Sequence, residues 1–364
     1  MSLMHRVTLQ VQVGSADGGQ RKQLNYIVKE KSDKVFGGEM VELMRVFPKE
    51  IHMYLKILPS LEELWKADKV KFGPKMFKVT SSPFTVIVME DLRLSGFKMK
   101  ECSAGLSQED CERVLEKMAK FHAASVVYYE ENGPYPEDFK DGMFSDRLIT
   151  MLEQYYAPLF DSYLQTLEEL RYPAQIIEAL NSFKGKVYST ISKLFRLDSS
   201  KFNVLNHGDT WINNIQFNEL DLLLLDYQIS FYGSPSYDLL YFIINSALSV
   251  RTEKFNDLID HYYSHLAAGL QQLGAQTPTP TRQQLYEDIT AHGFMVCVLS
   301  MEGLAMMLAM PELDLDMEIL GSMEPEGIEF RRKLYTNGRF VKMIEKLMPF
   351  MWDRGFLKEV QSSA

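Results

Sequence analysis

Two carboxylates and one amide have the residue types and spacing that chemistry at a phosphate requires. Asp209 lies in the segment Asn206-His207-Gly208-Asp209, and Asn214 follows five residues later. Asp226 ends a run of four leucines, twelve residues beyond Asn214. In phosphoryl transfer, one carboxylate orients the proton of the attacking hydroxyl, while an amide oxygen and a second carboxylate bind Mg²⁺. The pattern therefore indicates phosphoryl transfer.

Each of these residues also has a simpler interpretation when it is taken alone. An aspartate in a loop commonly caps a helix or closes a turn, and Asn213-Asn214 has the composition of a turn. The order and spacing of all three, with a predicted hairpin between them, favour the functional interpretation. The Asp209–Asn214 spacing is also that of the protein-kinase catalytic loop.

Two upstream residues fit the same chemistry. Lys29 ends a predicted strand at 26–29, and Glu50 lies on the helical segment that follows. Kinases use a lysine–glutamate pair of this kind at the α- and β-phosphates. Alone, Lys29 is an ordinary lysine at the end of a strand, and Glu50 an ordinary acid on a helix surface.

The segment 86–92 reads as a strand that runs into a hinge. In that interpretation, backbone groups of Glu90 and Leu92 hydrogen-bond an adenine. The alternative is a buried strand that ends in a turn.

The elements that must position these residues divide the chain in two. Strands are predicted at 7–13 and 24–29 with a turn at 17–19, and a further strand pair at 75–79 and 84–89. A helix is predicted at 37–58, kinked or divided by Pro48. This small β-rich lobe, residues 1–95, is expected to bind the nucleotide.

Residues 96–364 are expected to form a larger helical lobe with the catalytic loop and the acceptor site. The only strands predicted there are 214–217 and 222–225. The predicted helices lie at 109–131, 145–169, 174–197, 251–269, 283–308 and 327–348. The fold class is therefore α+β, with two lobes.

Composition excludes several classes of protein. With 39 basic and 49 acidic residues among 364, the net charge of −10 argues against nucleic acid and a membrane surface as partners. The N-terminus lacks the apolar core of a signal peptide, and no apolar run has the length of a membrane span. Three cysteines without CxxC spacing favour a reducing compartment. The predicted location is the cytoplasm.

Longer motifs add a family resemblance. The strings HGDTWINNIQF and LLLLDYQISFYGSPSYDLLYF resemble the CHK-kinase-like, or ecdysteroid-kinase-like, family, which is related to choline kinases and aminoglycoside phosphotransferases. The similarity extends over residues 2–310. It implies a two-lobed protein-kinase-like fold that uses ATP and Mg²⁺ to phosphorylate a hydroxyl of a small molecule. An ecdysteroid or a related lipophilic alcohol is an acceptor that the resemblance suggests.

The resemblance also implies roles for individual residues. It makes Asp209 the catalytic base, Asn214 and Asp226 the Mg²⁺ ligands, Lys29 the contact to the ATP phosphates, and Glu50 the partner of Lys29. His207 would brace the catalytic loop, Asp238 would support that loop by hydrogen bonds from a buried position, and His122 would pack beneath it as a core histidine.

Two departures from the family pattern stand out. Tyr227 occupies a position where phenylalanine is more common, a conservative change of shape. Family members also normally begin with an upstream strand and a glycine-bearing nucleotide loop, whereas residues 2–7 align with the strand after that loop. Gly18-Gly19 lies in the following hairpin turn and does not replace the loop. We therefore expect the chain to lack the first strand and the nucleotide loop, through a shortened sequence or an impaired protein.

The acceptor and the alternative functions are less defined by sequence. Five methionines near residues 295–310 suit either an apolar acceptor pocket or, more commonly, core packing. The alternative to a kinase is a pseudokinase-like module that binds a ligand or a partner without catalysis. Protein-kinase activity is a weaker third option, because no Ala-Pro-Glu motif follows Asp226. The oligomeric state is not specified.

Overall fold

A four-stranded antiparallel sheet forms the N-terminal part of this computed structural model, which describes residues 2–13, 20–31, 42–82, 84–310, 313 and 316–358. Its strands are β1 (Ser2–Val13), β2 (Gln20–Lys31), β3 (Met76–Thr80) and β4 (Val86–Glu90), in the order β1-β2-β4-β3. Lys29 of β2 pairs with Met4 on one side and Ile87 on the other. The predicted strands are confirmed, although β1 begins at Ser2, and the predicted turn at 17–19 lies outside the described residues.

The helical segment after β2 ends six residues later than predicted, at Leu64, and is more irregular. It consists of α1 (Val46–His52), a π-helical turn (Met53–Ile57) and α2 (Leu58–Leu64), while the predicted portion 37–41 lies outside the described residues. Helical residues 42–43 are separated from α1 by a turn at 44–45, where Arg45 has φ of 55°. The predicted division at Pro48 is therefore confirmed, with Pro48 in the first turn of α1, where backbone N–H groups have no intrahelical partner. The π-helical turn precedes Pro59, whose ring and missing N–H disturb the i to i−4 ladder.

The helical part of the chain is built around α3 (Gln108–Asn132), which confirms the helix predicted at 109–131. Ser107 caps this helix by accepting the Asp110 N–H at 3.1 Å. Its main packing partner is α8 (Phe255–Leu273). Gly133, with φ of 78°, ends α3 in a conformation that favours glycine.

Three long helices predicted from periodicity are divided in the structure. The helix expected at 174–197 is interrupted near Gly185, which has φ of 70°. The one expected at 283–308 is broken after Ala291 and again at Glu302, and the one at 327–348 is broken at Asn337. The helices so formed are α5 (Ala174–Asn181), α6 (Val187–Leu194), α9 (Arg282–Ala291), α10 (Phe294–Met301), α11 (Gly303–Ala309), α13 (Pro325–Thr336) and α14 (Gly338–Asp353). Two further helices are α4 (Ile149–Glu169) and α12 (Met317–Gly321).

Two short antiparallel strand pairs and one helix frame the loops that carry the polar residues. The expectation of only two strands in the helical part was wrong: β5 (Val204–Asn206) pairs with β8 (Phe231–Gly233), besides β6 (Ile215–Phe217) with β7 (Leu222–Leu224). Strands of three residues are too short to show an alternating pattern. Helix α7 (Ser236–Ser246) was also missed.

The structure is therefore α+β and bilobal, with a small antiparallel sheet and a larger helical region. No single helix in the described part of the chain is long and apolar enough to cross a membrane, although α9 and the segment formed by α10 and α11, bent by 51°, pass that test as a pair.

Candidate active site

A cleft of about 860 Å³ lies between the sheet and the helical region. Its lining includes six of the residues that the sequence analysis singled out, namely Lys29, Glu50, Glu90, Leu92, Asn214 and Asp226. Asp209 lies immediately beside it, because its carboxylate contacts Asn214. Residues that are far apart in the sequence thus meet at one cleft.

Lys29 binds two carboxylates at the floor of this cleft. Its Nζ lies 2.7 Å from Glu50 Oε2, forms an ion pair with Asp226, and donates to Gln228 Oε1 at 3.3 Å. Burial opposes the charge on Lys29, but Glu50 and Asp226 outweigh that effect and raise its pKa. Burial also raises the pKa of Glu50, to about 7, while the Lys29 ammonium acts in the opposite direction. The cation is thus fixed in place by charge.

The helix that carries Glu50 is attached to the helical region rather than only to the sheet. Lys49, which is fully buried, donates from Nζ to the backbone carbonyl of Asp141 at 2.8 Å. Arg45 forms an ion pair with Asp138 at 3.0 Å, and the His52 and Phe139 rings meet edge to face at 5.6 Å. The three contacts hold α1 against residues 138–141.

Asp209 and Asn214 form a hydrogen-bonded pair in the segment that connects β5 to β6. Asn214 Nδ2 donates to Asp209 Oδ2 at 2.8 Å, and Tyr241 Oη of α7 donates to Asp209 Oδ1 at 2.8 Å. Burial, followed by the charge of Asp226, raises the pKa of Asp209 to about 8. A carboxyl group with a pKa near neutrality can take up and release a proton at working pH.

The buried carboxylate of Asp238 accepts hydrogen bonds from the backbone of the loop before Asp209. Asp238 Oδ2 accepts the His207 N–H at 2.6 Å, and Asp238 Oδ1 accepts the Gly208 N–H at 2.9 Å. His122 lies 3.1 Å from the same carboxylate through Nε2 and 2.7 Å from Tyr262 Oη through Nδ1. The predictions that Asp238 supports the loop by hydrogen bonds and that His122 packs beneath it are confirmed.

His207 lies within the loop and is buried. Its Nδ1 accepts the Asp209 N–H at 3.1 Å, and its ring packs on Tyr227 with centroids 4.4 Å apart. Burial lowers the pKa of His207, so the imidazole is neutral near pH 7. This geometry suits a residue that orients the backbone of Asp209.

Asp226 emerges from β7 in a left-handed conformation, with φ of 68° and ψ of 58°. Such a conformation is costly for a residue with a side chain and persists mainly where the surroundings impose it, often at functional sites. The next residue, Tyr227, is fully buried and donates from Oη to the Phe72 carbonyl at 2.9 Å. The tyrosine that departs from the family pattern therefore gains a hydrogen bond that phenylalanine lacks.

At the hinge after β4, the structure places Glu90 at the end of the strand, opposite Tyr26. Leu92 begins a 3₁₀ turn (Leu92–Ser95), so its N–H has no partner within that turn. Between them, Asp91 accepts a hydrogen bond from Arg6 Nε at 2.7 Å, which ties the hinge to β1. Both predicted adenine contacts line the cleft.

Two residues at the site were not found from sequence. Gln228 donates to Asp226 Oδ2 at 3.2 Å, and Tyr241 donates to Asp209. Tyr241 follows Asp238 by three residues, a helical spacing that would have placed both on one face had α7 been recognised. The methionines near Glu302 are largely core, since Met295, Met301 and Met307 are buried.

The donor set suits a hard divalent cation. Asn214 directs its amide nitrogen to Asp209, which leaves its oxygen as the available ligand, and Asp226 supplies a carboxylate at the same cleft. Among the residues that the structure describes, no group of three or more His, Cys, Asp or Glu side chains can hold a metal. Two protein ligands are compatible with magnesium bound together with phosphates.

This combination of a small sheet, a paired Lys29 and Glu50, and an Asp209–Asn214 loop defines a kinase-like fold. The sequence profile of the ecdysteroid kinase-like family matches residues 1–275, and the chain belongs to that family.

Solved structures that are similar to the chain include several choline kinases. LicA from Streptococcus pneumoniae is 14% identical with a TM-score of 0.43, and the alignment covers 94% of each chain. The choline kinase from Cryptosporidium parvum is 12% identical with a TM-score of 0.46, over 97% of this chain and 91% of that one. Among curated protein sequences, none matches the chain significantly.

Proposed function

We propose that this chain transfers the γ-phosphoryl group of ATP to a hydroxyl group of a small metabolite, with an ecdysteroid or a related lipophilic alcohol as the acceptor. The observation that carries the proposal is the convergence of Lys29, Glu50 and Asp226 on one cleft beside the Asp209–Asn214 pair. Family membership supports a kinase of small molecules, and the family description supports the ecdysteroid.

In the proposed reaction, the acceptor oxygen forms a bond to the γ-phosphorus while the bond from that phosphorus to the β–γ bridging oxygen breaks. The hydroxyl proton passes to the Asp209 carboxylate, and ADP leaves. Tyr241 and Asn214 hold the two oxygens of Asp209 in one orientation, which reduces the cost of positioning the base. His207 fixes the backbone of the same residue.

Lys29 would contact the ATP phosphates, held in place by Glu50, and the backbone of Glu90 and Leu92 would bind the adenine. Asn214 and Asp226 would hold Mg²⁺, which neutralises phosphate charge when it is bound. We further propose that residues 1–95 form the nucleotide-binding lobe and that residues 96–364 form the lobe with the catalytic loop and the acceptor site.

A transfer assay with Mg·ATP tests this function. Ecdysteroids and plant-derived alcohols are offered to the full chain, and to Asp209→Ala with Asp257→Ala as a matched control at an exposed aspartate. We expect transfer by the wild type and the control, and a loss of at least about a thousandfold in Asp209→Ala. Full turnover by Asp209→Ala would contradict the proposal.

A thermal-shift measurement separates the kinase from the pseudokinase-like binding module. A nucleotide that binds only the folded state raises the unfolding midpoint. A shift with Mg·ATP together with transfer supports the kinase. A shift without transfer to any acceptor would favour the binding module instead.

A further inference from the structure

Three strongly exposed apolar side chains lie on two neighbouring loops. Leu220, at the tip of the hairpin formed by β6 and β7, is 93% exposed. Leu94 and Met99, in the segment that follows β4, are 68% and 57% exposed. Single exposed leucines are ordinary on protein surfaces, whereas several that project from one place mark a surface that binds something.

Hydrogen bonds between the two loops bring these side chains together. The Lys98 N–H donates to the Phe217 carbonyl at 2.9 Å, and the Phe217 N–H donates to the Lys98 carbonyl at 2.8 Å. Asn218 Nδ2 donates to the Ser95 carbonyl at 3.3 Å, and Asn218 Oδ1 accepts the Leu220 N–H at 2.9 Å. Each of the three apolar residues lies within two positions of a hydrogen bond that joins the loops. The two loops therefore present one continuous surface.

Positive charges stand beside the apolar side chains. The segment 92–100 contains Arg93, Lys98 and Lys100 and no acidic residue. Lys100 pairs with Asp110 at 3.0 Å. Arg93 and Lys98 are exposed, and neither forms an ion pair with a residue that the structure describes. Two cations are thus available to a partner. We call the surface formed by Leu94, Met99, Leu220, Arg93 and Lys98 the loop patch.

The charge of the whole chain is unevenly distributed around this surface. Residues 1–95 contain 15 lysines and arginines and 11 aspartates and glutamates, whereas residues 96–364 contain 24 and 38. At the hairpin tip, Asp221 pairs with Lys117 at 2.7 Å, and Glu219 is exposed. An anionic surface attracts the positive part of such a molecule and repels the negative part. The net charge of −10 therefore argues against a membrane for the helical region, but not for the small lobe and the loop patch beside it.

We propose that the loop patch docks this protein on an anionic lipid bilayer. The three apolar side chains would enter the boundary between the headgroups and the acyl chains, and the two cations would contact lipid phosphates. Projecting side chains suit a soft surface that closes around them, whereas a folded partner must offer a matching pocket for each. Arg93, Lys98 and Met99 also line the cleft, so docking would place one side of the cleft next to the bilayer. This inference does not depend on the proposed function.

Co-sedimentation with vesicles tests the docking. The full chain is mixed with vesicles of phosphatidylcholine alone and with vesicles that also contain about 30% phosphatidylserine. At low salt we expect binding to the anionic vesicles to be at least about tenfold tighter, because each cation near the surface adds attraction. The difference should shrink at high salt, which screens the charges. Neither nucleotide nor acceptor is present, so failure of docking and failure of phosphoryl transfer are observed separately.

Leu94→Gln combined with Leu220→Gln removes the apolar contribution. We expect the affinity for anionic vesicles to fall by at least about tenfold, because two leucine side chains no longer leave water on docking. Met323→Gln combined with Ile328→Gln is the matched control. Both of its positions are exposed and lie in the helical region, so the affinity should not change.

Arg93→Gln combined with Lys98→Gln removes two positive charges. We expect this variant to lose the preference for anionic vesicles and to keep the weak binding to neutral ones. Lys342→Gln combined with Lys346→Gln removes the same charge from exposed positions of α14 and should keep the preference. Unfolding in urea should show the wild-type midpoint for all four double variants, because every substituted side chain is exposed.

The docking is wrong if the wild type does not sediment with anionic vesicles, or if Leu94→Gln with Leu220→Gln binds them as tightly as the wild type. A dimer in light scattering that the same variant abolishes would make the loop patch an interface between two copies of the chain instead. Binding to a short DNA duplex, without binding to vesicles, that Arg93→Gln with Lys98→Gln abolishes would assign the cations to a nucleic acid.

Discussion

The buried carboxylate of Asp238 holds the backbone N–H of His207 at 2.6 Å, across 31 residues of sequence. Asp238 lies in the first turn of α7, and His207 follows β5. The same helix carries Tyr241, which contacts Asp209. One short helix therefore supports the loop through its backbone and orients the proposed base through a side chain.

Asp238→Asn should destabilise the protein by about 3 kcal/mol, because an amide directs an N–H at one of two buried backbone donors. Chemical denaturation in urea measures the effect. Asp257→Asn, at an exposed position of α8, is the control and should change the free energy of unfolding by less than about 0.5 kcal/mol. Equal stability of the two variants would show that Asp238 does not carry the loop.

Lys29→Met should reduce kcat/KM for Mg·ATP by about a hundredfold or more, because it removes the buried positive charge of Lys29 and keeps a side chain of similar volume. Lys22→Met lies on the same strand at an exposed position and should leave the rate unchanged. Steady-state kinetics with varied ATP measure both. Similar kinetics for the two variants would show that Lys29 does not contribute to the use of ATP.

Lys49 gives a pH-dependent test of stability. Burial lowers the pKa of Lys49 to about 8, from the ordinary lysine value of 10.5. Below pH 8 both the folded and the unfolded chain carry the proton, so folding buries a charge. Between pH 8 and pH 10.5 the folded chain releases the proton while the unfolded chain retains it, so the free energy of unfolding rises with pH.

Lys49→Met removes this titration. The free energy of unfolding of the wild type, measured relative to Lys49→Met, should therefore rise by roughly 3 kcal/mol between pH 7 and pH 10.5. Denaturation in urea at several pH values provides the measurement. Lys56→Met, at an exposed position of the following turn, is the control. A difference that stays constant with pH would contradict the prediction.

Gly208→Ala should cost about 3 kcal/mol or more. The residue has φ of 87°, and a Cβ there would lie 2.4 Å from the Ile229 carbonyl oxygen. Gly338→Ala is the matched control, since no atom lies within 4 Å of its Cβ position and it begins α14. Thermal unfolding compares the two. A Gly208→Ala variant as stable as the control would mean that the loop can rearrange.

The sequence was most informative where chemistry fixes local spacing. The five-residue separation of Asp209 and Asn214 matched the spacing of the kinase catalytic loop, and the structure brings the two side chains to 2.8 Å. The sequence also predicted that Lys29, at the end of a strand, pairs with Glu50 on the helix that follows, and the structure contains this ion pair. The first observation rests on a short segment whose geometry depends little on the rest of the chain. The Lys29–Glu50 pair is a tertiary contact, which was predicted from the pairing that kinases use. The roles of these residues remain predictions.

Features decided by distant packing were not predicted. Strands β5 and β8 exist because they pair across a long stretch of chain, 29 residues between Val204 and Gly233. The break at Glu302 interrupts an otherwise continuous apolar pattern. Gly303 follows it, but a single glycine is tolerated within helices and does not by itself predict a break. Hydrophobic periodicity reports which face is buried but not where a helix is interrupted.

The attachment of α1 by Lys49, Arg45 and His52 has a consequence for motion. Because α1 packs on the turn at Tyr227–Ile229 and on residues 138–141, it belongs mechanically to the larger body, while Lys29 belongs to the sheet. If the sheet swings outward to admit a nucleotide, α1 stays behind and Lys29 is drawn away from Glu50. The Lys29–Glu50 ion pair would then break when the cleft opens and form again when the cleft closes.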